Sequence, residues 1–248
     1  MSTILTGFPV ISGQDVYATS TTPQASLGVY METNDGRGFR YVKNGAVATV
    51  PGKVYQGPAE DTTNYSPSGG LAVAASAIGS TTVTLTGSLT ITANALAGGT
   101  LHVVVTPGQG QTYKIAGNTA VAGATGCVIT LEDTIRVALT TSSKVQLRAN
   151  LFDGILLAPT TLTNSPVGVS VSVIPASTAT VPQYGWIQTH GIVSCLETGT
   201  GTCGTALGVL QGGTAGSLAP AIAGTSILAY AAGTNITGEY GSVFLVIN

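Results

Sequence analysis

Short β-prone runs separated by glycine, proline, asparagine and serine recur along most of the chain. The clearest are residues 81–86, 101–106, 111–116, 127–131, 135–139, 144–149, 167–174, 184–189, 192–196, 227–231 and 241–247. Apolar and polar positions that alternate with a period of two are typical of half-buried strands, and short strands at regular spacing favour a sandwich or barrel over βαβ units. The pattern therefore predicts an all-β protein built of antiparallel, sandwich- or barrel-like modules.

Two local patterns predict hairpins. Asn44-Gly45 separates the runs 39–43 and 46–50, and this dipeptide favours a type I′ turn because both central residues need a positive φ. Gly87-Ser88 separates the runs 81–86 and 89–92 in the same way. Residues 72–77 and 218–223 have helical propensity but are short and flanked by glycine or proline, so we expect at most one or two helical turns there.

The first 35 residues contain scattered apolar positions interrupted by Pro9, Gly13 and Pro23. Such a segment buries little of itself, so we interpret 1–35 as an extended arm that is either partly disordered or lies across a neighbouring molecule. The arm is followed by a β-hairpin segment (36–64), a middle β module (65–158) and a C-terminal β module (159–248), and we expect the hairpin segment to pack with the last of these. The arm residues predicted to bind a partner are Phe8, Val10, Val16, Tyr17, Leu27, Val29 and Tyr30.

Charge is unusually scarce. Only 7% of the 248 residues are Asp, Glu, Lys or Arg, against about 25% in an ordinary soluble domain. No Lys or Arg follows Arg148, and Glu197 and Glu239 are the charged residues beyond Asp153. Binding a nucleic-acid backbone requires clustered cations, so we expect no direct contact with DNA or RNA. Soluble β-proteins usually carry charged residues at exposed strand edges. A neutral β-rich surface that lacks them instead predicts that partner subunits cover it.

The sequence offers little catalytic chemistry, and we predict no catalytic, cofactor-binding or metal-binding residue. His190 is close in sequence to Cys195, but catalytic pairs are defined by geometry rather than by nearness in sequence. Trp186, with Tyr184 nearby, is interpreted as a packing or interface residue, with a carbohydrate platform as the alternative. Cys195 and Cys203 are either paired across a loop or free.

The first ten residues lack the features of a secretory signal, and no stretch approaches the roughly 20 apolar residues of a membrane span. We therefore expect a protein that has no membrane partner and is assembled in a cytoplasm.

Six stretches together resemble the capsid cement, or decoration, proteins of tailed bacteriophages. They are GFRYVKNG (38–45), GKVYQ (52–56), GQTYKI (110–115), PVGV (166–169), QYGWIQTHG (183–191) and EYGSVFLVI (239–247).

The resemblance implies a non-enzymatic virion protein assembled in the host cytoplasm. It implies a homotrimer on the outer capsid surface that binds the major capsid protein and stabilises the shell. A head fibre or tail component is the alternative within the virion, and a carbohydrate-binding β-module is the alternative of another class.

Overall fold

The computed structural model describes residues 15–209 and 213–247, and Phe8 and Val10 lie outside them. The described residues form strands and no helix, which confirms the predicted all-β class. In chain order the strands are β1 (Tyr30–Glu32), β2 (Gly38–Asn44), β3 (Val54–Gln56), β4 (Leu71–Ala72), β5 (Thr82–Thr84), β6 (Leu89–Ile91), β7 (Thr100–Val105), β8 (Thr112–Asn118), β9 (Val121–Ala124), β10 (Val128–Leu131), β11 (Lys144–Arg148), β12 (Asp153–Leu157), β13 (Pro166–Ser170), β14 (Tyr184–Leu196), β15 (Ala206–Gly208), β16 (Ala219–Pro220), β17 (Ala229–Ala231) and β18 (Tyr240–Val246).

The strands belong to two compact units. Ala59–Asn150 forms the first, which we call the insert unit. Met1–Pro58 and Leu151–Asn248 together form the second, which we call the split unit. The sequence pattern alone divides the chain differently, at residues 35, 64 and 158. Contacts between strands that are distant in sequence define the split unit, and a linear pattern does not contain this information.

The insert unit is a closed antiparallel barrel. Its main sheet has the strand order β4-β11-β7-β8-β10-β5, and residues beside the two terminal strands pair with each other. Ala74 N donates to Thr84 O at 2.9 Å, and Thr86 N donates to Ala72 O at 3.0 Å. Because these bonds join the first strand to the last, neither edge of the sheet remains open there.

Alternate residues of these strands fill the interior of the insert unit. In β7, β8 and β11 the buried positions are two residues apart, as the period-two pattern predicts. They are Leu101, Val103, Tyr113, Ile115, Val145 and Leu147. A separate two-stranded ribbon of β6 and β9 contributes Leu89 and Ile91 to the same core.

The split unit contains a ring of five strands that continues into an open sheet. The ring is β2-β12-β3-β13-β14, closed by pairing of β14 with β2. β14 is 13 residues long. Its first half pairs with β2, whereas its second half pairs with β18, which begins the extension β18-β17-β15-β16.

Residues 15–35 fold onto the split unit. β1 pairs with β2, and Val16 and Met31 are buried with Phe39, Tyr41 and Trp186 in a group that we call the aromatic cluster. Residues 15–35 of the predicted arm thus contribute two residues to the core of their own chain. They are buried by side chains of β2 and β14, which come from distant parts of the chain.

Both predicted hairpins are wrong. The run 46–50 forms no strand, and Asn44 is buried instead of occupying an exposed turn. Its Nδ2 lies 2.9 Å from Val47 O, 3.0 Å from Ile174 O and 2.8 Å from Pro175 O. The side chain thus holds together loops that a hairpin turn would leave apart.

In the insert unit, β5 pairs with β10 and β6 pairs with β9. Pairing β5 with β6 would remove β5 from the place where the barrel closes. Residues 135–139 form no strand either, and only Leu139 bridges to Ser76.

Candidate interaction surface

One side of the sheet formed by β14, β18 and β17 is apolar and exposed. Ile192 is 50% exposed, Phe244 38%, Tyr230 41% and Tyr240 50%. We call these four residues the apolar face. The intervening residues of the same strands, Cys195, Val243, Leu245, Ala229 and Ala231, pack in the core on the opposite side.

The register of the strands places three members of the apolar face in one row. Ile192 is opposite Phe244 across β14 and β18, and Phe244 is opposite Tyr230 across β18 and β17. The His190 ring meets the Phe244 ring edge-on, with centroids 5.1 Å apart and an interplanar angle of 82°. Side chains that are opposite each other on neighbouring strands are close enough to interact. The row is therefore a continuous apolar surface rather than a set of isolated exposed side chains.

Charge is almost absent from this part of the split unit. Beyond Asp153 the charged residues are Glu197, which is buried, and Glu239, which is exposed. An apolar, uncharged surface loses little solvation when another neutral surface covers it. It therefore fits a protein partner better than a phosphate backbone.

A slot of about 480 Å³ opens beside the second half of β14. We call it the strand slot. It is lined by Ile192 and Ser194 of β14, Tyr240 and Ser242 of β18, and by Tyr17, Arg37, Pro51, Gly52, Ser170, Val171, Gln188 and Val193.

The backbone of β14 shows which edge of the strand borders the slot. Thr189 O accepts from Ile247 N at 3.0 Å and Glu197 N donates to Glu239 O at 2.9 Å, so the odd-numbered residues face β18. Successive residues of a strand direct their N–H and C=O to opposite sides, so the even-numbered residues face the other edge. Leu196 N confirms this by donating to Gly52 O at 2.8 Å on that edge.

Part of that edge carries no paired strand. Gln188 Nε2 donates to His190 O at 2.9 Å and to Ile192 O at 3.0 Å, which satisfies two carbonyl groups. The N–H of Ile192 and both the N–H and C=O of Ser194 have no hydrogen-bond partner among the described residues. The slot therefore borders two unpaired N–H groups, whereas Ser194 O lies 3.3 Å from the position that a Cβ on Gly52 would occupy.

Arg37 is the charged residue that lines the slot. Its Nε donates to Asp35 Oδ2 at 2.8 Å, and its Nη1 donates to Tyr17 Oη at 3.3 Å. The guanidinium group is therefore already paired, and the slot favours an uncharged occupant.

Three of the predicted partner-binding residues pack within the split unit instead of facing solvent. Val16 is buried in the aromatic cluster, and Leu27 and Val29 pack partly buried against it. Tyr17 and Tyr30 are more accessible. Tyr17 is 53% exposed at the slot, and the half-buried ring of Tyr30 lies 5.6 Å from the Arg40 guanidinium. Among the predicted residues that the structure describes, Tyr17 is the one that lines the slot.

His190 and Cys195 lie on opposite faces of β14, because they differ by an odd number of positions along one strand. Burial, with a further contribution from Glu197, raises the pKa of the Cys195 thiol to about 12. A thiol of this kind stays protonated near neutral pH and does not act as a nucleophile. Cys127, Cys195 and Cys203 are all free, so Cys195 and Cys203 are not paired.

Trp186 is buried, and its ring meets that of Tyr41 edge-on at a centroid distance of 5.0 Å. A sugar-binding platform requires an exposed aromatic face. The packing interpretation of Trp186 is therefore confirmed, and the platform expected from the alternative is not formed by this residue.

The carboxyl group of Glu197 is enclosed in the core beside the C-terminal strands. Its Oε1 accepts from Asn235 Nδ2 at 2.6 Å, whereas its Oε2 has no hydrogen-bond partner among the described residues. Burial raises the pKa of this carboxyl, and the bond from Asn235 opposes the shift in part.

Within residues 15–209 and 213–247, no three His, Cys, Asp or Glu side chains converge as a metal site would require. In the same residues, no helix has the length and apolarity needed to cross a membrane. No protein-family model, curated protein or solved structure matches the chain.

Sequence reasoning missed the apolar face, although a signal for it exists. In EYGSVFLVI (239–247) apolar residues occupy both the odd and the even positions. A strand with one solvated face carries polar residues on alternate positions. The absence of that alternation is a sequence signal for an apolar outer side of this strand. The strand slot has no such signal, because it depends on the divergence of β13 from β14.

Proposed function

We propose that this protein is a non-enzymatic structural subunit that adds to a larger assembly through its apolar face. The observation that carries the proposal is the uncharged row formed by Ile192, Phe244 and Tyr230. Exposed contiguous apolar surface is rare on monomeric proteins and marks sites of protein association. Covering such surface contributes roughly 25 cal/mol per Å² of apolar area, less the cost of ordering the partners.

The specific assembly that we propose is the capsid of a tailed bacteriophage. In this role the protein is a homotrimeric decoration protein that binds the major capsid protein from outside and stabilises the shell of the virion. Support comes from the resemblance described above. Two of its six stretches, residues 183–191 and 239–247, overlap β14 and β18, which carry most of the apolar face.

A stabilising role needs no catalytic group. Each copy resists separation of the capsid subunits that it contacts, because separating them exposes the apolar surface again. Many symmetry-related copies multiply a modest contribution per contact. A neutral surface suits this role, since it forms contacts that salt weakens little.

Binding to undecorated capsids tests the proposal directly. Ile192→Asp and Tyr240→Asp place a carboxylate on the apolar face at half-exposed positions, and Ile78→Asp is the matched control. Ile78 is 67% exposed and belongs to the insert unit. We expect capsids to sediment with the wild type and with the control, and the two face variants to bind at least about tenfold more weakly, which corresponds to ~1.4 kcal/mol.

Circular dichroism establishes that each variant is folded before binding is measured. Equal binding by all four proteins would overturn the apolar face as the contact. Absence of wild-type binding to capsids would overturn the decoration role. Electron microscopy of labelled particles distinguishes the shell from a head fibre or a tail, because the label then appears at a different place on the particle.

A further inference from the structure

We propose that a pocket beside the first residues of β14 binds a neutral sugar, with the ring of Tyr184 as its platform. The pocket has a volume of about 390 Å³, which lies within the range of roughly 300–1,000 Å³ that is typical of small-ligand sites. We call it the tyrosine pocket. Its walls include Asp15, Ser20, Gln24, Tyr41, Tyr184 and Trp186. It shares no lining residue with the strand slot or the apolar face, so the inference does not depend on the proposed function.

The ring of Tyr184 is held in place by its neighbours. It lies parallel to the ring of Tyr41, with an interplanar angle of 4° and ring centroids 6.0 Å apart. Tyr41 is buried, and its hydroxyl group accepts from Gln24 N at 3.0 Å. Tyr184 N donates to Ser20 O at 2.8 Å, and Ser20 N donates to Tyr184 O at 3.1 Å. A platform fixed in this way loses little conformational freedom when a ligand covers it.

Tyr184 is also the accessible one of the three aromatic rings that line the pocket. It is half-buried, whereas Tyr41 and Trp186 are buried. The face of an aromatic ring carries partial negative charge, so the C–H groups on one side of a sugar ring pack favourably against it. The hydroxyl group of Tyr184 has no hydrogen-bond partner among the described residues and remains able to donate or accept.

Two further polar side chains of the pocket can bind the hydroxyl groups of a sugar. Gln24 Nε2 donates to Thr22 Oγ1 at 3.0 Å, which orients the amide group and leaves Gln24 Oε1 without a partner in the described part of the chain. Asp15 Oδ1 accepts from Tyr17 N at 2.9 Å, and Asp15 Oδ2 has no partner within the same residues. Carboxylate and amide oxygens accept hydrogen bonds from hydroxyl groups. The pocket therefore combines one aromatic platform with two acceptors and one phenol group.

The charge of the pocket favours a neutral ligand. Asp15 is the charged residue that lines it, and none of the lining residues is Lys or Arg. A phosphate or an acidic sugar would be repelled by this carboxylate and would find no cation with which to pair. The backbone groups of Ser20 and Tyr184 already pair with each other, so this part of the pocket offers no edge for an added peptide strand.

A single site with one aromatic ring and three polar groups binds a sugar weakly. An assembly that displays many copies of the site would nevertheless attach firmly to a surface that repeats the same sugar, because later contacts form at a high effective concentration. Only this consequence rests on the proposed function.

Titration of the full chain with sugars tests the inference. The panel contains neutral hexoses, N-acetylhexosamines and their short oligomers, with a hexuronic acid for comparison, and saturation-transfer NMR reports binding up to the millimolar range. We expect neutral sugars to bind and the hexuronic acid not to bind. Tyr184→Ala should weaken binding at least about tenfold. Gln24→Ala, which shortens an exposed side chain and leaves the aromatic rings in place, should weaken it about threefold or more.

Tyr17→Ala is the matched control. Tyr17 is 53% exposed, belongs to the same unit and lines the strand slot instead of the tyrosine pocket, so this variant should bind sugars as the wild type does. Circular dichroism establishes that each variant is folded, and Gln24→Ala decides alone if Tyr184→Ala is not.

Three results would overturn the inference: no neutral sugar binds the wild type, the hexuronic acid binds as tightly as the neutral sugars, or Gln24→Ala binds as tightly as the wild type. Capsid binding by Gln24→Ala should equal that of the wild type, because Gln24 is not part of the apolar face. Failure of the sugar site is therefore distinct from failure of the proposed function.

Discussion

At the scale of single residues, Glu197 is the clearest case of a group whose ionisation conflicts with its surroundings. Its carboxyl is enclosed, one oxygen has no partner among the described residues, and the pKa is raised by burial. An acid with a raised pKa binds its proton more tightly in the folded chain than in the unfolded chain. The folded state therefore loses stability as the pH rises from the unfolded pKa, about 4.3, through the folded pKa.

We predict that Glu197→Gln removes this pH dependence. Thermal unfolding followed from pH 4 to pH 8 should show a wild-type midpoint that declines relative to that of the variant, with the variant the more stable protein at pH 8. The neighbouring Cys195 thiol has a pKa of about 12 and does not titrate in this range. Glu132→Gln, at an exposed position of the insert unit, is the control and should follow the wild type. Parallel curves for Glu197→Gln and the wild type would contradict the prediction.

At the scale of elements, the approach of β13 to β14 depends on a glycine. Gly168 has a φ of +150°, and a Cβ at this position would lie 2.5 Å from Gln188 O. We predict that Gly168→Ala forces the two strands apart and lowers the free energy of unfolding by about 2 kcal/mol.

Gly87→Ala is the matched control for this substitution, because nothing lies within 4 Å of a Cβ at Gly87. Chemical denaturation should show a change of no more than about 0.5 kcal/mol for the control. If both variants lost a similar free energy of unfolding, the close contact between Gly168 and Gln188 O would not explain the effect of the substitution.

The sequence predicts individual strands better than it predicts which strands pair. Alternating residues of β7, β8 and β11 identify buried positions correctly, because period two is a local property of a strand. Partner choice is not local. Asn44-Gly45 has the composition of a hairpin turn, but the Asn44 amide binds Ile174 O and Pro175 O about 130 positions away along the chain. The slot is missed for the same reason, since its walls come from β13, β14, β18 and loops that are far apart in the chain.

At the scale of the whole molecule, the order of strands in the chain differs from their grouping in space. The split unit is completed only after the chain has passed through the insert unit, yet each unit has its own buried core. Within the split unit, the residues on either side of the insert unit in the chain lie close together. A Cβ on Gly57 would be 2.9 Å from Leu151 O, and Gly57 N donates to Ser165 O at 3.0 Å.

This arrangement predicts that the insert unit can be removed. Replacing residues 59–150 by a Gly/Ser linker of about four residues should leave the split unit folded, because the linker spans ends that are already adjacent. The excised segment, expressed alone, should also fold, since its barrel closes between β4 and β5 by its own backbone bonds. Each protein should unfold in a single cooperative thermal transition. Loss of cooperativity in either one would show that its core depends on the other unit. With both folded, capsid binding by the linker variant tests whether the apolar face acts without the insert unit.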